Sequence, residues 1–359
     1  MIAPIEEDSV TQAAMAPYKR TPPPLPARLF FATMLAAMGP VYWFLQRFKL
    51  DGKLFGSMRE RQRKELKTKN PFKGYEPTEH DVFVVTYVKS GTNWMMQLAH
   101  QLLFHGNGEF EHIHCVVPWP DTALMGPMTN YAIPIRDPRV WQASPEGKRV
   151  VKTHFRWEDV PYSPKAKYII VIRDPKDVFV SSYYFFVKDG PLSFTNMSVA
   201  AFLETFLSDQ FFMGGSWATT TAAYWAQRDK PNVLVCSFKE MRRDLAGSVR
   251  RVAEFLGVAA SPEMLERVTE LSSFNYMKTI DDKFSTGKFL SLRAAAPMMR
   301  KGTEGGSSEL ITPVQARRID EYFMSELTRL GSDFPYEEFC RLAPGVVPSA
   351  PAQPVMVKA

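Results

Sequence analysis

The segment Asp81–Trp94 constrains the fold of this chain most, because it predicts a buried strand, a tight turn and a helix in immediate succession. Val82 to Val85 are β-branched or aromatic, as expected of a strand that is covered on both faces. Gly91 permits a sharp turn. After the turn, apolar residues recur at helical spacing, namely Met95, Leu98, Ala99, Leu102 and Leu103. The pattern therefore predicts one strand–turn–helix unit.

The turn of this unit carries polar groups that would converge on one point. The Lys89 ammonium, the hydroxyls of Ser90 and Thr92 and the first N–H groups of the helix predict a phosphate site. An ordinary strand–helix connection with a solvated lysine is the competing interpretation. The turn is not a Walker A motif, because its lysine precedes Ser-Gly-Thr.

The segment Lys167–Tyr184 repeats the order of strand and helix. Asp174 can cap the helix, and Arg173 leaves the strand end, where its planar guanidinium can bind a phosphate in bidentate fashion. Ser181 follows eight positions later, about two helical turns along. The alternative is a surface arginine paired with Asp174 or Asp177.

A third strand, Val150–Phe155, brings a base and a cation together. Lys152 and His154 are two positions apart, so they point to the same side of an extended chain. Such a pair suits removal of a proton from a hydroxyl while negative charge develops nearby.

These segments resemble those of the cytosolic-type sulfotransferases, which transfer a sulfuryl group from 3′-phosphoadenosine 5′-phosphosulfate (PAPS). Thr86–Trp94 is similar to the family's 5′-phosphosulfate loop, and Lys167–Tyr184 to its 3′-phosphate site. Lys152-Thr-His154 resembles the tripeptide that holds the general base. Met298–Thr312 begins like the family's Arg-Lys-Gly nucleotide loop, but its second half is rich in Gly and Ser where the family has Gly-Asp-Trp-Lys.

The resemblance extends from about Asp81 to Tyr336 and implies roles for individual residues. The implied catalytic residues are His154 as general base, Lys89, Lys152 and Ser181. The implied PAPS-binding residues are Lys89, Ser90, Gly91, Thr92, Asn93, Trp94, Arg173, Ser181, Phe238, Ser272, Phe274, Met277, Arg300, Lys301 and Gly302. The implied acceptor-binding residues are Trp119, Phe185 and His154. The family's reaction needs no metal.

The alternation of predicted elements indicates an α/β fold with a central parallel sheet and helices on both faces. Through the resemblance this is a P-loop-NTPase-like sulfotransferase fold with one catalytic domain. We expect a disordered leader at 1–27, a hydrophobic and basic arm or membrane-associated helix at 28–70, the sulfotransferase domain at 71–340 and a disordered tail at 341–359.

The N-terminal arm contains 18 consecutive uncharged residues at 29–46, interrupted by Gly39-Pro40 and flanked by basic residues. This length is borderline for a membrane span. Three interpretations remain: a membrane anchor, a helix lying at the membrane surface, or a helical arm packed on the protein. Aromatic residues and basic flanks favour contact with a membrane surface.

Composition limits the ligands and the compartment. The formal net charge of +6 suits anionic ligands such as a nucleotide, and the scattered arginine pairs, among them Arg242-Arg243, indicate solvated helix faces rather than nucleic-acid binding. Three widely spaced cysteines predict a reducing, cytoplasmic location. His112-Ile-His114-Cys115 offers too few ligands for a metal. A homodimer is left open.

The sequence thus predicts in-line sulfuryl transfer from PAPS to a hydroxyl or amine of an apolar or aromatic small molecule or lipid. The alternatives are a P-loop-type nucleotide phosphotransferase, a catalytically weakened membrane-associated scaffold of the same fold, and a lumenal sulfotransferase acting on glycans.

Overall fold

The structure of the protein is a computed structural model. It describes residues 17–47, 61, 64–66, 68–124, 131–188, 197–208, 211, 215–285, 297–300 and 306–346. Lys301, Gly302 and most of the predicted leader and tail lie outside these residues.

Four parallel strands form the central sheet in the order β2-β1-β3-β4. Their bounds are Asp81–Thr86 for β1, Arg149–Thr153 for β2, Lys167–Ile172 for β3 and Val233–Ser237 for β4. In the register, Val84 of β1 lies opposite Lys152 on one side and Ile169 on the other. The predicted parallel sheet is therefore confirmed, with β1 at its interior.

The sheet separates two apolar cores. Phe83 and Val85 of β1 point into one core, whereas Val82 and Val84 point into the other, and all four are fully buried. Alternate side chains of a strand lie on opposite faces, so a strand apolar at every position must be covered by helices on both sides. This is the arrangement that the sequence predicts.

Both bounds of twelve α-helices lie within the described residues. In chain order they are α1 Leu25–Arg47, α2 Thr92–Leu103, α3 Arg139–Ala143, α4 Pro175–Tyr183, α5 Val199–Phe206, α6 Trp217–Trp225, α7 Phe238–Arg243, α8 Leu245–Leu256, α9 Pro262–Leu271, α10 Phe274–Thr279, α11 Pro313–Arg329 and α12 Tyr336–Phe339.

A buried ionic cluster fixes the beginning of α4. The Asp174 side chain accepts a hydrogen bond from Lys176 N at 2.8 Å, and the Lys176 ammonium is paired with both Asp174 and Asp320. Asp320 also accepts from Ala343 N at 2.7 Å. Because Ala343 is held in this way, residues 341–346 pack on the domain, although we expected a disordered tail from 341. The rest of the predicted tail lies outside the described residues.

Helix α1 differs from the sequence prediction in two ways. It begins at Leu25, within the predicted leader, and it continues through Pro40 without a break. Phe30 and Trp43 remain 72% and 68% exposed. Within the part of the chain that the structure describes, no helix combines the length and apolarity needed to cross a membrane.

Candidate active site

The carboxyl ends of all four strands meet at one edge of the sheet, and a predicted site residue follows each of them. Lys89 follows β1, His154 follows β2, Arg173 follows β3 and Phe238 follows β4. In open α/β sheets this edge is where ligands bind. The topology thus gathers residues that are up to 149 positions apart in the chain.

The turn after β1 has an uncommon backbone conformation. Lys89 has a φ of 64° and Gly91 a φ of 101°, both in the left-handed region. A Cβ at Gly91 would lie 2.8 Å from the Phe238 ring, so that only glycine fits. The Thr92 hydroxyl is hydrogen-bonded to the Thr86 hydroxyl at 2.6 Å, which ties the start of α2 to the end of β1.

Arg173 lies directly beside this turn. Its Nη1 donates a hydrogen bond to the Lys89 carbonyl at 3.0 Å, and its guanidinium lies 4.3 Å from the centre of the Phe238 ring. The Trp217 indole N–H donates to the Arg173 carbonyl at 3.0 Å. The two predicted phosphate-binding segments therefore adjoin each other.

A cavity next to Arg173 is lined by seven of the predicted PAPS-binding residues: Trp94, Arg173, Ser181, Phe238, Phe274, Met277 and Arg300. Three further lining residues, Arg242, Met298 and Met299, were not predicted as site residues from the sequence. The interpretation of Arg242 as part of a merely solvated helix face is therefore corrected. It lies four positions after Phe238 on α7, a spacing that places both on one helix face.

The other predicted PAPS-binding residues that the structure describes are not among the residues lining this cavity. Lys89 to Asn93 form the adjoining turn and the start of α2. Ser272 acts through its backbone, because its carbonyl accepts a 2.7 Å hydrogen bond from the Trp94 indole. Trp94 in turn meets the Phe238 ring edge-on at 5.3 Å.

Unused donors at this edge of the sheet suit an anionic ligand. Arg173 Nε and Ser90 Oγ are buried and have no hydrogen-bond partner among the described residues. A buried donor without a partner destabilises a protein by about 1–3 kcal/mol. With aromatic walls and two arginines beside these donors, the site fits a phosphorylated adenosine.

His154 has a defined tautomer. Its Nδ1 lies 2.9 Å from the Thr86 carbonyl oxygen, and since a carbonyl only accepts, Nδ1 carries the hydrogen. Nε2 is therefore the ring nitrogen that can accept a proton or a hydrogen bond. Asp121 holds the backbone here: its carboxylate accepts from His154 N at 2.7 Å and from the Thr153 hydroxyl at 2.9 Å. Asp121 was not predicted from the sequence, because its role depends on its contact with His154, 33 positions away in the chain.

Trp119 contacts both Lys152 and His154. The Lys152 ammonium lies 3.4 Å from the centre of the Trp119 ring, and the His154 ring meets Trp119 edge-on at 6.0 Å. The predicted catalytic pair and the predicted acceptor-binding tryptophan are thus adjacent.

The charges of these groups are perturbed. Burial, with a smaller contribution from Arg173, lowers the pKa of Lys89 to about 7. Burial also lowers the pKa of Lys152 to about 7, against the opposing effect of Asp121. Burial and the Lys152 charge lower the pKa of His154 to about 3, so this imidazole is neutral at neutral pH. Shifts of this size are typical of functional sites.

A π-helical turn, Tyr184–Lys188, connects the two halves of the site. The Lys89 ammonium lies 4.0 Å from the centre of the Phe185 ring, and Arg300 lies over Tyr184 at 4.4 Å. Such turns are frequent at functional sites. Ser181, one turn earlier, lines the cavity beside Arg173.

Residues 79–331 match the family described as the sulfotransferase domain. The chain belongs to this family. It is 31% identical over 271 residues to sulfotransferase 2A1 of Macaca fascicularis, which covers 72% of this chain and 88% of that protein. Its identity to the human sulfotransferase 2A1 is 29% over 266 residues, with the same coverage. This protein is therefore a PAPS-dependent sulfotransferase.

Solved structures support the fold of this sulfotransferase. A complex of retinol dehydratase with androsterone and the inactive cofactor PAP has a TM-score of 0.62 at 20% identity and covers 77% of this chain and 88% of that chain. Mouse sulfotransferase SULT7A1 with PAP has a TM-score of 0.53 at 23% identity, and covers 75% and 88%. Among the described residues, the sulfotransferase has no cluster of three or more side chains suited to hold a metal.

Proposed function

We propose that this sulfotransferase acts on the hydroxyl or amine of an apolar or aromatic small molecule or lipid, with His154 as general base. The observation that carries the proposal is the hydrogen bond from His154 Nδ1 to the Thr86 carbonyl. It leaves Nε2 as an acceptor beside two lysines whose pKa values are lowered to about 7.

The proposed division of roles follows from this geometry. When bound, PAPS supplies the sulfuryl group and a phosphate leaving group. His154 Nε2 takes the proton of the acceptor hydroxyl or amine. Lys152 and Lys89 supply positive charge where negative charge develops, which is usually the largest catalytic contribution. An anion held near His154 also favours its protonated form.

The nucleotide-binding roles are proposed for the residues around the cavity. Arg173, Ser181 and Arg300 would bind the 3′-phosphate, while Trp94 and Phe274 would flank the adenine. The unused donor on Arg173 and the proximity of the cavity-lining residues support these assignments. Lys89 and the following turn would bind the 5′-phosphate at the start of α2.

An aromatic acceptor site is proposed from the residues beside the base. Trp119, His114 and Tyr131 pack ring against ring, with centroids 5.1 to 5.9 Å apart, and Phe185 lies over Lys89. Aromatic walls favour flat or apolar alcohols. The complexes of retinol dehydratase with retinol and with androsterone provide support from the same fold.

Replacement of the proposed base tests the function. We expect His154→Ala to lower kcat by about 10²–10⁴-fold while the affinity for PAP is unchanged, because the base does not line the nucleotide cavity. Turnover would be measured with labelled PAPS against phenols, sterols, fatty alcohols and amines. His105→Ala, which removes a surface histidine paired with Glu146, is the matched control. Normal turnover in His154→Ala would exclude the base assignment.

We also propose a cytoplasmic location with contact between α1 and an anionic membrane surface. Exposed Phe30 and Trp43 could enter the lipid interface, and Arg47 ends the helix with a positive charge. The three cysteines are free and buried, as suits a reducing compartment.

A further inference from the structure

A short segment before α1 lies against the catalytic domain. Pro17 and Lys19 are exposed, whereas Tyr18 and Arg20 are half-buried. Alternate exposure of this kind is typical of an extended chain with one side against a surface. We refer to residues 17–20 as the strap. The strap precedes residues 79–331, the part of the chain that matches the family.

Two side chains hold the strap in place. The Arg20 guanidinium lies 5.2 Å from the centre of the Tyr131 ring. It also lies near Cys115, where its positive charge opposes the rise in the thiol pKa that burial causes. On the other side, the Arg139 guanidinium lies 5.6 Å from the centre of the Tyr18 ring. Arg139 is itself fixed by a bidentate interaction with Asp137. Each inward-pointing residue of the strap therefore has a cation–π contact.

Contacts continue from the strap to the catalytic pair. Tyr131 is fully buried and meets the Trp119 ring edge-on at 5.9 Å. Trp119 is the residue whose ring contacts both the Lys152 ammonium and His154. One buried tyrosine and one tryptophan thus separate Arg20 from the proposed base.

We propose that the strap forms the outer wall of the acceptor site, and that Arg20 is a positioning residue which acts through Tyr131 and Trp119. The proposal rests on the proposed roles of His154 and Lys152. If the proposal is correct, the strap, which lies outside the family domain, completes the acceptor site. The strap then has no effect on the binding of PAPS. Cation–π contacts such as these two each contribute on the order of 0.5–2 kcal/mol.

Labelling of Cys115 tests the docking without any acceptor. Cys115 is 7% exposed and lies near Arg20, whose charge lowers the pKa of its thiol, while Cys236 and Cys340 are buried elsewhere and serve as internal references. We expect Arg20→Ala to open the strap and to speed maleimide labelling of Cys115 by on the order of tenfold. The labelling rate would be measured by peptide mass spectrometry. Loss of the cation alone would raise the pKa of this thiol and slow the reaction. Faster labelling therefore reports opening.

Kinetics test the positioning role. With the best acceptor from the screen described above, we expect Arg20→Ala to raise the KM for the acceptor several-fold and to leave the KM for PAPS unchanged, with partial recovery in Arg20→Lys. Lys19→Ala removes an adjacent exposed cation and should change neither labelling nor KM. An unchanged labelling rate in Arg20→Ala overturns the docking, and faster labelling with unaltered acceptor kinetics overturns the positioning role. Because labelling needs no turnover, failure of the proposed function would be seen separately.

Discussion

Single residues determine the charge of this site. Lys89 is held in a left-handed turn beside Arg173, and burial with this neighbouring cation lowers its pKa from 10.5 to about 7. The residue type was predictable from the strand–turn–helix pattern. Its pKa was not, because Arg173 comes from another strand, 84 positions later.

The lowered pKa predicts a pH dependence of PAP binding. Above pH 7 the free site loses the Lys89 proton, whereas a bound phosphate favours the charged form, so binding takes up a proton and weakens as the pH rises from 7 to 9. In Lys89→Met this slope should become shallower, with the remainder due to Lys152. Calorimetry in buffers of different ionisation enthalpy measures the uptake. Lys165→Met, at an exposed position, is the control, and an equal slope in Lys89→Met would contradict the prediction.

At the scale of elements, the sequence predicted the strands better than the helices. Strands β1 and β3 were recognisable because each contains a short, continuous apolar run. Strand β2 was recognised from only two valines, Val150 and Val151, which precede Lys152 and His154. Of helix α7, only Phe238 was predicted in the site, and Arg242 and Arg243 were interpreted together as a solvated face. In the structure Arg242 lines the cavity and Arg243 does not. Phe238 was predicted in the site through the resemblance. Only its helical spacing to Arg242, four positions later, could have distinguished Arg242 from Arg243.

Because Arg242 lines the cavity and Arg243 does not, we expect their replacement to affect PAP binding differently. Arg242→Ala should weaken binding by about three- to fivefold, or roughly 0.7–1 kcal/mol, as for an exposed charge contact. It should also make binding less sensitive to salt. Arg243→Ala, one position along the same helix, should leave the affinity unchanged. Titration at low and moderate ionic strength tests both, and equal losses in the two variants would remove Arg242 from the site.

At the scale of the whole molecule, contacts between segments that are distant in the chain could not be predicted from the sequence. The Trp94 indole meets the Ser272 carbonyl across 178 positions, and Lys176 pairs with Asp320 across 144. Such pairings depend on strand order, which local patterns do not specify. The course of α1 through Pro40 was also missed, because proline usually interrupts a helix.

If α1 contacts an anionic membrane surface, binding of the protein to vesicles should depend on their lipid composition. The intact protein should sediment with vesicles of phosphatidylserine and phosphatidylcholine more than with phosphatidylcholine alone. Phe30→Ser combined with Trp43→Ser should reduce this binding strongly, since both rings are exposed. Val314→Ala alters an equally exposed apolar residue on α11 and is the control. Binding that survives the double substitution would exclude α1 as the contact.

The central claim is that the ends of β1 and β3 bind opposite ends of one bisphosphorylated adenosine. Calorimetric titration of wild type and Arg173→Ala with PAP and with adenosine 5′-monophosphate, which lacks the 3′-phosphate, tests it most directly. A charged hydrogen-bonded contact contributes about 1.5–3 kcal/mol. Arg173→Ala should therefore weaken PAP binding by roughly 10- to 150-fold and the monophosphate far less. Equal losses for the two nucleotides would contradict the account.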